Sequence, residues 1–429
     1  MSKRPCLVFA DEKGNIFDWP EIEPAGSSGG RWCRPRGDDW IPLPPGSELF
    51  VLPKRMPVGY DPRRKKFEIL ETDPNSPGRG VQAVAAFMAP AYTQICSAAY
   101  KTLSEAPILP LFSYTAVGWS KGRFVVAGLR VDPDERQDAK HVDRKKIERN
   151  ALRRMSEEPR NRLLQHLGKC ALTYGCPAAR NLFMNRWEAP LPSSPACNAR
   201  CLGCISLQER QDLCSTQERI TFAPTPEEIT GVAIPHLKEA PRAVVSFGQG
   251  CEGEPLLQAE NIGKSIAMMR RATNRGTINL NTNGSLPDKV EALCGAGLDS
   301  IRVSISSCRP RYFEAYHRPK GYAIEDLKRS IRAVKASGGF ASINYLMLPG
   351  VTDEEEEFQE LCRFIDETGL DLIQMRNLNI DPEWCLKALG YRPGGKILGV
   401  RPWMARVREK FPNLRFGYFN PFLDPDTDK

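Results

Sequence analysis

Thr277-Ile278-Asn279-Leu280-Asn281-Thr282-Asn283 alternates apolar and polar side chains, and Ser300-Ile301-Arg302-Val303-Ser304-Ile305-Ser306 does the same. Successive side chains of a strand point to opposite faces. Ile278 and Leu280 therefore share one face, with Asn279, Asn281 and Asn283 on the other; Ile301, Val303 and Ile305 oppose Arg302, Ser304 and Ser306. The division recurs in 341–348, where Ile343 and Met347 oppose Ser342 and Asn344, and in 372–378, where Ile373 and Met375 oppose Gln374 and Arg376. With 243–247 these make five strands. Amphipathic helices are expected between them over 263–273, 289–295, 324–336 and 353–368. Gly297-Leu298-Asp299 and Gly369-Leu370-Asp371 each place a glycine where a helix stops and a strand follows. Strand and helix in alternation give an α/β parallel sheet covered by its own helices.

The apolar faces must meet those helices, which leaves the polar set on the concave side. A complete eight-stranded barrel fills that side with branched apolar residues. Here it holds amides, hydroxyls and guanidinium groups, each costing about 1–3 kcal/mol if buried without a partner. The pattern predicts an open barrel whose lumen takes water or a polar ligand.

Working outward, 429 residues suffice for two domains, and 41% apolar with 26% charged residues is an ordinary globular profile. The run Cys6 to Ala10 is too short for a signal-peptide core, and Val81 to Tyr100 is broken by Pro90. No membrane association is expected, and the cytoplasm is the expected compartment. Residues 1–165, rich in Pro and Gly, read as an accessory domain, mainly β or mixed, ending in a basic helical segment over 142–166. Residues 166–385 hold the barrel. Residues 386–429 form a C-terminal extension, a helix followed by a tail rich in Pro and Asp. The net charge of +8 gathers at Lys54–Arg55, 63–66 and 144–169, stretches read as solvated faces or docking surface for an acidic partner. Fourteen cysteines without export signals point to metal or redox chemistry, and four histidines leave little for a His-rich site.

Cys197-Asn198-Ala199-Arg200-Cys201-Leu202-Gly203-Cys204 gathers three thiols on one short loop. Iron–sulfur cubanes take up to four thiolates, so three would leave one iron open. A structural zinc site needs a fourth ligand, for which Cys214 is the near candidate. Gly250-Cys251-Glu252-Gly253-Glu254-Pro255 follows the next strand, and Leu348-Pro349-Gly350-Val351-Thr352-Asp353 ends and follows the strand 341–348. Together these motifs resemble the radical S-adenosylmethionine (radical SAM) superfamily, over roughly 190–379, and within it the molybdenum-cofactor cyclisation and peptide-maturase branch.

The resemblance implies a partial (β/α)6 barrel with a [4Fe–4S] cluster on Cys197, Cys201 and Cys204. It implies SAM chelating the open iron, one-electron cleavage of a carbon–sulfur bond, and abstraction of a hydrogen atom from substrate. Gly253 and Glu254 match the family's turn that holds the SAM amino group, although Glu252 replaces its usual first glycine. Asn281, Asn283, Ser304, Ser306, Asn344 and Arg376 join them as expected SAM contacts, with Ser306 standing where the family usually has Asp. A ferredoxin or flavodoxin is the expected reductant.

Cys170, Cys176 and Cys214 are candidates for a second iron–sulfur cluster, or buried small hydrophobes. Cys251 and Cys308, just past strand ends, are candidate catalytic thiols, and Tyr312 to Tyr322 is a candidate loop over the mouth. The substrate class stays open between a peptide or protein, an RNA and a cofactor precursor. The competing function is a non-catalytic iron–sulfur carrier or sensor, which would leave the Glu254 turn and the polar lumen without a purpose. A zinc-stabilised RNA-binding module is disfavoured by three cysteines.

Overall fold

The alternating segments pair side by side, in chain order and all parallel, in a computed structural model that describes residues 4–76, 78–135 and 137–423. The barrel strands are β1 (Glu188–Leu191), β2 (Val244–Phe247), β3 (Thr277–Thr282), β4 (Ser300–Ile305), β5 (Phe340–Met347), β6 (Leu372–Asn377) and β7 (Arg415–Gly417). Six of them make the expected partial barrel, and β7 extends it on the β6 edge.

The register lines up the polar faces: Asn279 pairs with Ser300, Asn281 with Arg302, and Ser304 with Asn344, which pairs with Gln374. Ile278, Leu280, Ile301, Val303, Ile305, Ile343, Met347, Ile373 and Met375 all enter the helix-side core, as the alternation predicts. Tyr345 joins them.

Residues up to Arg130 form antiparallel sheets, one of eleven strands and one of four. The antiparallel strands end at Arg130, ahead of the expected boundary at 165. Helix α1 (Arg144–Glu157) and helix α2 (Arg162–Leu172), separated by Pro159, are two pieces of the segment expected as one connector. Ile147, Ala151, Leu163, Leu164 and Leu167 pack in the barrel's core, so both helices belong to the barrel by burial.

The extension is likewise part of the barrel. Val400–Lys410 is a helix, and β7 adds to the sheet beyond it. Residues 424–429, the acidic end of the expected tail, lie outside the described residues. Among the described residues no helix is long and apolar enough to cross a membrane.

The β-rich domain rests on the C-terminal ends of β5 and β6. The Gly29 amide donates to the Pro349 carbonyl at 2.8 Å, and a Cβ on Gly350 would stand 1.9 Å from the Gly29 nitrogen. Thr93 Oγ1 and the Gln94 amide both donate to Asn377 Oδ1, at 3.0 and 2.8 Å. Those strand ends are where a barrel of this kind presents its functional groups.

Candidate active site

The cysteine loop leaves β1 and is fastened on two sides. On one side stands the turn 250–255. The buried Glu252 carboxylate accepts from the Ser193, Ser194 and Gln249 amides at 2.8, 3.0 and 2.6 Å, and from the Ser193 hydroxyl. Burial still pushes its pKa up to about 7. The Gly253 amide donates to Ser194 O and the Glu254 amide to Ala196 O, at 2.7 and 2.8 Å. A Cβ at Gly253 would meet the Ala196 carbonyl oxygen at 1.9 Å, so only glycine allows this approach. Glu252, the departure from the family's turn, clasps the loop with its side chain.

On the other side runs helix α3 (Pro310–His317). The Arg200 amide donates to His317 O and the Leu202 amide to Tyr316 O, at 3.0 and 2.9 Å. Most of the segment expected as a loop over the mouth is therefore a helix bracing the cysteines. His317 is buried, which pushes its pKa down to about 3 and keeps the ring neutral. Its Nε2 accepts from the Ser306 amide at 3.2 Å, so Nδ1 carries the proton and faces Cys201 Sγ at 3.5 Å. Cys204 Sγ has Arg219 Nη2 at 3.4 Å. Both contacts place an N–H donor on a sulfur, the environment a metal-bound thiolate needs.

These residues fit a multi-iron cluster better than a single ion. Tetrahedral zinc holds its sulfurs about 3.8 Å apart. Among the described residues only His166, Cys170 and Cys251 gather three ligand atoms within 4.8 Å of one another; Cys197, Cys201 and Cys204 are more widely spread. Cys214, the possible fourth zinc ligand, is exposed.

Glu254 turns both carboxylate oxygens to the end of β3. It accepts from the Thr282 hydroxyl, from the Asn283 amide at 2.8 Å and from the Leu256 amide at 3.0 Å. Burial raises its pKa to about 7 against these donors. Asn283 Nδ2 donates to Asn198 Oδ1 at 2.7 Å, and Asn198 Nδ2 to Ser285 Oγ at 2.9 Å, so β3 and the cysteine loop are joined directly. Thr282 and Asn198 were missed from sequence. Thr282 fell on the face assigned to the helices, and Asn198 occupies a spacer position between two cysteines.

The lumen divides into a satisfied and an unsatisfied part. Asn420, beyond β7, donates to Glu188, Ser246 and Asn281 and accepts from Gln374 Nε2 at 2.9 Å. Asn281 also donates to Gly248 O at 2.9 Å, so it is a strut of this network. Ser306 Oγ, Asn344 Oδ1, Arg302 Nε and Arg376 Nε, by contrast, are buried with no hydrogen-bond partner among the described residues, while Arg302 Nη1 donates to Gln374 Oε1 at 3.2 Å and Arg376 Nη2 to Tyr418 O at 2.7 Å. Ser304 lies half-buried in the row of Asn344. Burial first, and then Arg376, pushes the Arg302 pKa down to about 9. Two guanidinium Nε–H groups and two oxygens left without partners on the polar face suit a ligand with anionic and hydrogen-bonding groups.

The expected catalytic thiols are placed elsewhere. Cys308 is buried on the helix side, where its amide donates to Glu357 at 2.5 Å and Tyr345 donates to the same carboxylate. Cys251 is buried beside Cys170 and His166. Of the expected second set, the Cys176 amide donates to the Cys170 carbonyl at 3.0 Å, while Cys214 stands exposed and outside that group.

Residues 191–362 match the radical SAM superfamily. The probable GTP 3′,8-cyclase of Methanosarcina acetivorans is 30% identical over 220 residues, covering 49% of this chain and 61% of that protein. The FeMo cofactor biosynthesis protein NifB of Azotobacter vinelandii is 24% identical over 209 residues, 44% of this chain and 40% of that one. The chain thus spans less than two thirds of these relatives. The solved structure of Streptococcus suis SuiB bound to precursor peptide SuiA aligns at 15% identity and a TM-score of 0.38, over 56% of this chain and 53% of that one.

Proposed function

We propose that this chain, whose residues 191–362 form a radical SAM domain, is an enzyme that cleaves SAM reductively and removes a hydrogen atom from a substrate bearing an anionic group. The observation that carries the reading is that the cysteine loop is bonded both to the Glu254 turn and, through Asn198 and Asn283, to the end of β3, whose polar face continues across the sheet in Arg302, Ser304, Asn344 and Gln374.

Cys197, Cys201 and Cys204 would hold the [4Fe–4S] cluster, and Gly253 and Glu254 would form the SAM turn. When bound, the pair supplies one-electron cleavage of a carbon–sulfur bond and hydrogen-atom abstraction. The chain's own residues bind, orient and exclude water. Ser304, Ser306 and Asn344 offer oxygens and an amide along one wall, and Arg302 and Arg376 supply positive charge deeper in. The β-rich domain rests on the ends of β5 and β6, which suits a substrate held between the two domains.

The exposed Arg318 and Lys320, the latter bonded through its amide to Asn198 O of the cysteine loop, suit docking of an acidic electron donor such as a ferredoxin or flavodoxin. A reducing compartment, the cytoplasm, belongs to the same reading.

The test is anaerobic reconstitution, dithionite reduction and an assay for 5′-deoxyadenosine from SAM, with Cys201→Ala beside the wild type. Product from the wild type alone is expected. A reducible cluster whose spectrum ignores SAM and yields no 5′-deoxyadenosine would leave an iron–sulfur carrier or sensor instead.

A further inference from the structure

Outside the lumen, α2 and the back of the 250–255 turn bring two thiols and an imidazole together. His166 and Cys170 lie four residues apart on α2, hence on one face of the helix. Cys251, eighty-one positions beyond Cys170 in the chain, closes on them, and all three ligand atoms lie within 4.8 Å of one another. His166 Nε2 stands 3.5 Å from Cys170 Sγ. Tetrahedral zinc with bonds of about 2.3 Å to sulfur and about 2.05 Å to nitrogen sets those atoms about 3.6 Å apart. Cys170 and Cys251 are buried, and His166 is half-buried, which leaves the ring side open for an ion to enter.

We propose that His166, Cys170 and Cys251 bind a single zinc(II) ion, distinct from whatever Cys197, Cys201 and Cys204 hold. One imidazole and two thiolates form a borderline-soft set that selects zinc over the hard cations. The spacing suits one ion, whereas thiolates on separate irons of a cluster stand farther apart. Three protein ligands leave a fourth position for water or for Cys176, whose amide is bonded to the Cys170 carbonyl. The Cys251 carbonyl accepts from the Ile220 amide at 2.8 Å, and Glu252 and Glu254 follow it directly in the chain. The ion would therefore tie α2 to the turn that clasps the cysteine loop, a structural role behind the lumen.

The site does not rest on the radical SAM reading, and its test separates the two. Full-length wild type and the Cys197→Ala/Cys201→Ala/Cys204→Ala variant are purified without oxygen, and zinc and iron are measured in each. About one zinc per chain is expected in both, falling to near zero in Cys170→Ala and in His166→Ala. His166 is half-buried, so His166→Ala should keep the native circular dichroism. Cobalt(II) added to chelator-stripped wild type should show thiolate-to-metal charge transfer and tetrahedral ligand-field bands. Its affinity should fall in His166→Ala by more than the 10–100-fold that loss of an outer partner of a ligand typically costs, roughly.

Any of four results would overturn the proposal. One is wild type without stoichiometric zinc or a cobalt spectrum of this kind. Another is zinc undiminished in both His166→Ala and Cys170→Ala. A third is iron–sulfur absorption in the triple variant that vanishes with Cys170→Ala, and the last is a Cys170–Cys251 disulfide in the mass spectrum of the anaerobic protein.

Discussion

His317 contributes a single proton in a defined place. Because Nε2 accepts from the Ser306 amide, Nδ1–H is directed at Cys201 Sγ. A donor on a cluster thiolate favours the reduced, more negative state. His317→Phe, which keeps the ring volume, is therefore expected to lower the midpoint potential of the reconstituted cluster; a redox titration followed by electron paramagnetic resonance reads it, and an unmoved potential refutes the role. Gly253→Ala is a second test at this scale. Its Cβ would overlap the Ala196 carbonyl, so the turn and the cysteine loop must part. SAM affinity should drop at least about tenfold, and stability by about 1–3 kcal/mol as the paired amides lose their acceptors, checked by titration calorimetry and urea unfolding. Gly253 was legible as a motif residue, yet the reason only glycine fits there is a contact with a loop distant in sequence. The same holds for Asn198 and His317: neither shows a pattern of its own, and both matter through partners on other elements.

Among elements, the turn between β5 and the following helix (Glu355–Thr368) stores a buried acid. Asp353 Oδ1 accepts from the Gly350 amide at 2.5 Å, and burial pushes its pKa up from 3.8 to about 6. A carboxyl whose folded pKa is raised stabilises the fold while protonated, fully below its unfolded value. That stability is lost as pH rises through about 6. Asp353→Asn keeps an acceptor for Gly350 without the charge. Its thermal stability relative to wild type should therefore rise between pH 5 and pH 8, by at most about 3 kcal/mol; a difference constant across that window would show that Asp353 titrates normally. The strands around this turn were legible because each is long enough to show alternation. β1 and β7 were not. Glu188-Ala189-Pro190-Leu191 is four residues long and carries a proline, tolerated at a sheet edge, and Arg415-Phe416-Gly417 is three residues long. Strands so short are defined by their neighbours' open edges, and those become visible only after the other five strands have paired. Asn420 follows from β7 and was hidden with it, although it supplies much of the polar network inside the lumen.

At the scale of the whole molecule, the two domains are joined by charge as well as by backbone. Arg55 Nη2 meets Asp381 Oδ2 at 2.8 Å with both side chains 3% exposed. Asp381 also accepts from the Leu109 amide at 3.0 Å and caps the helix Pro382–Ala388 through the Glu383 and Trp384 amides. The β-rich domain thus supplies Arg55 and an amide to a carboxylate that starts a helix just after β6. Removing Arg55 leaves that carboxylate buried with its charge uncompensated, which costs about 3–5 kcal/mol. Replacing both members with apolar residues removes the charge along with its partner. Arg55→Met should therefore loosen the domain contact more than Arg55→Met/Asp381→Leu loosens it beyond the lost helix cap, itself worth about 1 kcal/mol. Hydrogen exchange distinguishes these outcomes. The single variant should lose protection at Leu109 and across 377–389 while the amides of β3 and β4 stay protected, because the barrel's own core does not depend on Arg55. If the β3 and β4 amides exchange faster as well, the domains unfold as one unit and the β-rich domain is part of the barrel's stability. If exchange does not change anywhere, the pair contributes nothing net, and the contacts of Gly29 with Pro349 and of Gln94 with Asn377 hold the domain in place.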